Sequence, residues 1–315
     1  MLARLITTSL AGLALAVPLR AQTPAAGANL GQSREVTQAA TLGPPLTPGP
    51  HPMLSLGARW QPDTEWDTGG RARVVRGNLS GGLSFFHSPT FQTGLMLDHE
   101  ISRYEFSGPA VDPTWLVLPG EMRVERLTAT LRRPLGGDWS LFLAADATWA
   151  LGRGASYSDA CTWGGLGSAR WQMTTNFAFN FGVYAHTRLE ARVRVLPIPG
   201  LEWQINENWK LATAQGVTLT RKFNRRWQAD LSVLVENREY RLSDDAPLDG
   251  GIFRDRSVPV VVTVRWAPHP GMFAQLAAGV NPWQQQRLTD RPGAPDLTEQ
   301  SHWSPSLAAT AGLRF

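Results

Sequence analysis

From residue 53 onward, apolar and polar residues alternate with a period of two. Trp139, Leu141, Leu143, Ala145, Ala147, Trp149 and Leu151 share one parity, while Ser140, Asp146 and Thr148 take the other. Leu189, Ala191, Val193 and Val195, then Leu201, Trp203 and Ile205, repeat the pattern against Arg188, Glu190, Arg192, Arg194, Glu202 and Gln204. Trp227, Ala229, Leu231, Val233 and Val235 oppose Gln228, Asp230, Ser232, Glu236 and Arg238, and Val258 to Trp266 carries a further stripe. A period of two belongs to a strand with one apolar face, and helical spacing fits none of these segments. The pattern predicts an all-β protein.

A short phrase recurs between the stripes. "INENWKLATA" at 205 and "FNRRWQADLS" at 223 each run from an apolar residue through three polar ones to a tryptophan and renewed alternation. "LGGDWSLFLA", "MTTNFAFNFG" and "HPGMFAQLAA" are looser copies. In all five an aromatic (Trp139, Phe177, Trp209, Trp227, Phe273) follows a tight turn. The phrase predicts a hairpin whose second strand restarts at a membrane interface, a depth that suits amphipathic and flat rings.

Alternation alone fits a soluble exported β-sandwich as well as a membrane barrel. Three features favour the barrel. Trp139 and Trp149 bracket one stripe across ten residues, which at about 3.3 Å per residue and a tilt near 40° spans roughly 25 Å. Connections alternate between tight (near 87–90, 135–138, 173–176, 206–208, 224–226 and 268–271) and long (61–70, 107–120, 151–162, 242–255 and 283–301). Finally, "HWSPSLAATAGLRF" places Trp303, Leu307, Ala309, Ala311, Leu313 and the last residue, Phe315, on one parity, the form of an assembly signal read by barrel-assembly machinery. The tally is fourteen antiparallel strands, or twelve if the short pair over 209–223 is lost. An even number returns both ends to one side. Asn281 reads as an exposed position.

The first residues, "MLARLITTSLAGLALAVPLRAQ", carry a cationic start, an apolar run too short to span a bilayer, and small Ala21 at a cleavage position. The organisation expected is a signal peptide over 1–21, a Pro/Gly/Ala-rich leader over 22–52 and a barrel over 53–315, in a bacterial outer membrane. The single cysteine, Cys161, excludes an intrachain disulfide. A formal charge of +4, spread through the alternating segments, is far from the dense basic blocks of a nucleic-acid binder.

The segments "LPIPGLEWQINENWKL" and "TRKFNRRWQADLSVLVENREYRLS" resemble an uncharacterised family of secreted proteins predicted to be outer-membrane β-barrels, a domain of unknown function. The likeness covers roughly residues 120–315. It implies fold and location and supplies no activity.

Candidate chemistry is sparse. The six histidines show neither HExxH nor metal-ligand spacing, and no GxSxG elbow is present. The expectation is no catalytic set, no cofactor and no metal. What remains is the inner face, where Arg188, Glu190, Arg192 and Arg194 on one strand, and Asp230, Glu236 and Arg238 on another, are candidate lumen residues. Trp139, Trp149, Phe177, Trp209, Trp227 and Phe273 are candidate girdle residues in contact with outer-membrane lipid. The function expected is a passive small-solute channel or a structural barrel. The alternatives are an outer-membrane lipid-modifying enzyme and a soluble binding module.

Overall fold

The computed structural model describes residues 48–315 apart from 89–90, 117, 119, 190–192, 214–215, 245–249 and 290–295. The proposed signal peptide and nearly all of the leader lie outside the described residues, as do Glu190 and Arg192. The leader ends earlier than its composition suggests, because residues 49–52 already belong to the first strand.

The described residues form β1 (Gly49–Glu65), β2 (Arg71–Phe86), β3 (Gln92–Ser107), β4 (Glu121–Gly136), β5 (Trp139–Gly152), β6 (Cys161–Thr174), β7 (Phe177–His186), β8 (Arg194–Gln204), β9 (Trp209–Thr213) and β10 (Gly216–Lys222). The rest of the chain gives β11 (Trp227–Leu234), β12 (Glu236–Arg241), β13 (Ile252–Ser257), β14 (Val260–His269), β15 (Met272–Asn281), β16 (Gln284–Thr289), β17 (Leu297–Ser301) and β18 (Ser304–Arg314). The last eight segments are four strands, each broken once, so the sheet has fourteen strands. The short pair over 209–223 is present as β9 and β10. The helix among the described residues is a single turn, α1 (Pro113–Leu116).

Neighbouring strands pair antiparallel, and β1 meets β18 from Met53↔Arg314 to Trp60↔Leu307, which closes the ring. The closed barrel is inside out relative to a soluble protein. Leu56, Leu97, Phe181 and Leu276 stand exposed on its outer surface, while Ser80, Asp98, Arg126, Thr218 and Asp230 are buried within. Among the described residues, buried polar side chains outnumber buried apolar ones. An apolar exterior around a polar interior is the distribution a barrel needs in lipid.

The tight turns all lie at one end, here the turn end, together with Phe315. Its N–H donates to the Pro52 carbonyl at 2.9 Å. The opposite, loop end differs from expectation. Strands run further than the apolar stripes, so the connections expected at 61–70, 242–255 and 283–301 shorten to 66–70, 242–251 and 290–296. "IFRDRS", "QQQRLT" and "LTEQS" pair as strands although they carry no apolar stripe.

Those polar segments follow a row of breaks. Val235, Val258–Pro259, Pro282–Trp283 and His302–Trp303 interrupt four adjacent strands at one level, with Leu234 N–H on the Pro259 carbonyl at 3.0 Å and Val258 N–H on the Trp283 carbonyl at 3.1 Å. Between Ser257↔Gln284 and Val260↔Val280 the one strand has two residues and its partner three, a one-residue bulge. Proline removes ladder donors there, and a bulge bends and twists the strand that carries it. Asn281, read as exposed, is buried beside this fault. Beyond it the sheet β12–β13–β16–β17 leans across the lumen, far enough that Arg241 bridges Leu151 of β5.

The lean creates a dry core at the loop end. Tyr240, Leu242, Phe253 and Leu288 from the leaning sheet pack with Val74, Tyr104, Met122 and Val124 of the opposite wall. Trp115 of α1 enters this core fully buried, with ring centroids 5.2 Å from Trp66 and 5.3 Å from Phe106. Its turn is fixed by Asp112, whose Oδ1 accepts the Thr114 N–H at 2.8 Å. Hydrogen bonds from the Thr114 hydroxyl and N–H hold that carboxyl below its ordinary range. Trp115→Ala is expected to cost about 3–5 kcal/mol, read by denaturant unfolding in detergent. The neighbouring exposed Leu116→Ala should stay within about 0.5 kcal/mol of wild type.

Candidate solute path and its closure

Below the row of breaks the inner surface is polar and lined largely by small side chains. Ser232, Leu234, Val261, Thr263, Ala277, Gly279, Ser306 and Ala308 wall a cavity of about 160 Å³ whose surface is more apolar than polar, with Arg59 and Glu236 also lining it. Gly279 holds its place because a Cβ there would stand 2.8 Å from the Val260 carbonyl oxygen. Nearer the turn end, Glu202 meets Lys210 at 3.0 Å and Arg170 at 3.5 Å across the inner face. Asp230 accepts the Thr220 hydroxyl at 2.5 Å and both Gln228 contacts at 3.1 Å.

Above the cavity the lumen is crossed by a belt of ion pairs. Arg59 Nη1 donates to both Glu236 oxygens at 2.8 and 2.9 Å, and Arg238 Nη1 reaches the same carboxylate at 2.8 Å. Arg238 Nε continues to Glu100 at 3.0 Å. Alongside, Arg76 Nη2 meets Asp255 at 2.5 Å, and the same carboxylate accepts the Tyr104 hydroxyl at 2.9 Å and Gln284 Nε2 at 2.8 Å. Gln61 Nε2 completes the crossing to Gln284 Oε1 at 2.7 Å. Three guanidinium groups thus face three carboxylates, all buried or nearly so. Fork-shaped guanidinium donors suit such shared, multiple contacts. The belt joins the β1–β3 wall to the leaning sheet, and the aromatic core lies directly beyond it.

The inner-face candidates are placed as follows. Glu236 and Arg238 lie at the centre of the belt, and Asp230 lies lower, on the same face of β11. Arg188 is not on a strand. β7 ends at His186 and β8 begins at Arg194, so Arg188 sits in the connection, where its guanidinium meets Glu239 at 2.6 Å. The even spacing of "HTRLEARV" imitates a strand, yet Arg188 falls outside the pairing of β7 with β8 and does not share a strand with Arg194. Arg194 opens β8. Arg59, Arg76, Glu100 and Asp255 were missed, since no motif marks them and their partners are distant in sequence.

The girdle candidates stand where strands restart. Trp139, Phe177, Trp209 and Trp227 are the first residues of β5, β7, β9 and β11. Phe273, the second of β15, does not belong with them: it shares the inner-face parity of Ala277 and Gly279, because Met272 and Leu276 take the outer face of that strand. Trp139 stacks on Trp171 at 5.7 Å, and guanidinium groups sit over Trp209 and Phe273. Trp149 is half-buried toward the other end of β5.

No protein-family model and no curated sequence matches the chain. Among solved structures it is similar to the toluene transporter TodX of Pseudomonas putida (12% identity, 92% of this chain and 95% of that one, TM-score 0.45). It is similar also to an outer-membrane channel from Pseudomonas putida F1 (12%, 87% and 98%, 0.45). A third is the translocator domain of the autotransporter NalP from Neisseria meningitidis (10%, 90% and 95%, 0.37).

Glu236→Ala leaves Arg59 without its carboxylate and Arg238 with Glu100 alone, a change expected to cost about 3 kcal/mol. The Arg59→Ala, Glu236→Ala pair should cost clearly less than the sum of its single changes, measured by unfolding in a double-mutant cycle. An additive pair would mean that Arg59 and Glu236 are not coupled.

Proposed function

We propose that the protein is an outer-membrane channel for small solutes that is closed at rest. The observation that carries this reading is the succession along the lumen: a cavity walled mainly by small side chains ends at a charge-balanced belt, and the belt is capped by the aromatic core. An open porin keeps water continuous through its lumen, whereas here a solute entering from the turn end meets a seal of ion pairs. The seal is carried by the leaning sheet beyond the row of breaks, so it can part without moving the cylinder below them. The apolar exterior and the restarting aromatics support the outer membrane as the location, reached through the N-terminal signal segment and the assembly machinery that reads the last strand. A purely structural barrel is the second reading, favoured by the fully buried core at the loop end. Among the described residues no three His, Cys, Asp or Glu side chains are grouped to hold a metal, and the enzyme reading has no constellation to support it.

Conductance across planar bilayers tests the reading. Wild type should show rare, small openings, and a Glu100→Ala, Glu236→Ala variant that still assembles should conduct steadily. A variant as silent as wild type would favour the structural barrel, and phospholipid hydrolysis by the purified protein would overturn both readings. Deleting Phe315 should lower the heat-modifiable, membrane-recovered fraction severalfold. Normal assembly without it would count against its role as the signal.

A further inference from the structure

The turn-end half of the lumen carries its charge on one arc of wall. Register hands the inner face from strand to strand there. Arg170 pairs with Asn180, Asn180 with Gly200, Gln204 with Lys210, Lys210 with Thr220 and Lys222 with Gln228. Residues opposite each other in an antiparallel ladder share a face, and Gln228 is buried within the barrel. Arg170, Lys210 and Lys222 therefore face the lumen, as does Glu202, two residues beyond Gly200. Arg132 joins them through the parity of buried Arg126 on β4. All five lie within five residues of the turn end of their strands.

Glu202 is shared between Lys210 and Arg170, and Asn180 bonds it as well. Arg132 lies within electrostatic range of Arg170 and Glu202, yet among the described residues it is in no ion pair, and neither is Lys222. The next acid round the ring, Asp230 on β11, is held by Thr220 and Gln228. Arg265 and Arg314, further round, are engaged, Arg265 over the Phe273 ring. Beyond residue 47, Pro89 and Thr90 are the turn-end residues that are not described, and neither is charged. The turns set Asp138 and Glu207 against Arg225 and Arg226, and residues 1–47 carry three arginines and one glutamate. The positive balance of the arc is therefore not cancelled at this end. Low-dielectric walls focus such a field into the lumen, and basic side chains around a pore favour anions.

We propose that this arc is an anion selector on the solute path, with Arg132 and Lys222 setting its preference, and that the solutes are small organic carboxylates. The proposal deepens the channel reading and rests on it. Planar guanidinium forks at Arg132 and Arg170 match a carboxylate. The belt above is charge-balanced, so selection by sign belongs to the lower arc. The cavity between them, about 160 Å³ and more apolar than polar, suits a short apolar body, which an organic carboxylate has and inorganic phosphate lacks.

The first readout needs no opening of the belt. Full-length Cys161→Ser, Ser168→Cys protein in a zwitterionic detergent places a thiol on the inner face opposite Phe142, the residue that pairs with Arg132. It is labelled with anionic sulfonatoethyl or cationic trimethylammonioethyl methanethiosulfonate, each rate divided by that of a free thiol. The anionic reagent should react about tenfold faster on this scale. The ratio should fall about threefold or more in Arg132→Gln and in Lys222→Gln, made separately. Arg221→Gln, on the outer face beside Trp209, should leave it unchanged. Equal rates for the two reagents, or a ratio unmoved in both variants, would overturn the proposal. The second readout is the reversal potential of the Glu100→Ala, Glu236→Ala variant in gradients of potassium butyrate or potassium phosphate, with and without Arg132→Gln. Butyrate should permeate about threefold better than potassium and lose that lead with Arg132→Gln, the belt charge being the same in both. Phosphate permeating as well as butyrate would overturn the carboxylate assignment. Selective labelling without conductance would sink the channel reading and the solute with it, whereas conductance without preference for anions would sink the selector alone.

Discussion

Lipid supplies no water to a backbone N–H or carbonyl, so a strand that crosses it must be hydrogen-bonded along both edges. The pairing of β1 with β18 meets that demand by joining the first strand to the last. Once the ring is closed, every residue of a strand has only two directions, toward lipid or toward the lumen, and the alternation of the chain sorts itself accordingly. The apolar stripes lie outside because that is where no water competes. Serine, threonine, asparagine and the charges lie inside, where they find each other.

A closed ring of fourteen strands leaves a lumen too wide for side chains alone to fill, since an eight-stranded barrel is already just wide enough for them. The row of breaks is the device that narrows it. Pro259, Pro282 and the bulge between β13–β14 and β15–β16 release four strands from the cylinder at one level, and the freed sheet leans on the opposite wall. One consequence is that β13 is buried on both faces, a condition unusual for a strand in a barrel. Phe253 and Asp255 turn to the core and belt on one side, and Arg254 turns to Glu239 on the other.

How far this was legible follows from the physics of each part. The cylinder was readable because lipid imposes one rule at every strand, so each stripe repeats the signal and the fourteen-strand tally needs no long-range information. The turn end was readable for the same reason, through the aromatic that follows each turn. The leaning sheet was not. "IFRDRS" and "QQQRLT" are polar on both parities, because their two faces meet a belt and a charged compartment instead of lipid and water, and a polar segment without a stripe reads as a loop. Arg188 failed in the opposite way, since the stretch that follows β7 happened to alternate. Glu236 and Arg238 could be assigned to an inner face, yet their partners could not: Arg59 and Glu100 are joined to them across more than a hundred residues of chain, a separation no local pattern encodes.

Charged groups lie on both faces of the leaning sheet. In the belt, each guanidinium has a carboxylate within 3.0 Å, a state that is stable without a ligand and is disrupted when one partner is removed. Glu239 turns to the other face, where it meets Arg188 and Arg254 at 2.6 and 3.0 Å. A balanced set suits a seal, because a passing ion gains little by stopping there. Since Arg238 and Glu239 are adjacent on β12 and point to opposite faces, a strain on the partners of Glu239 pulls on the same backbone that holds the belt.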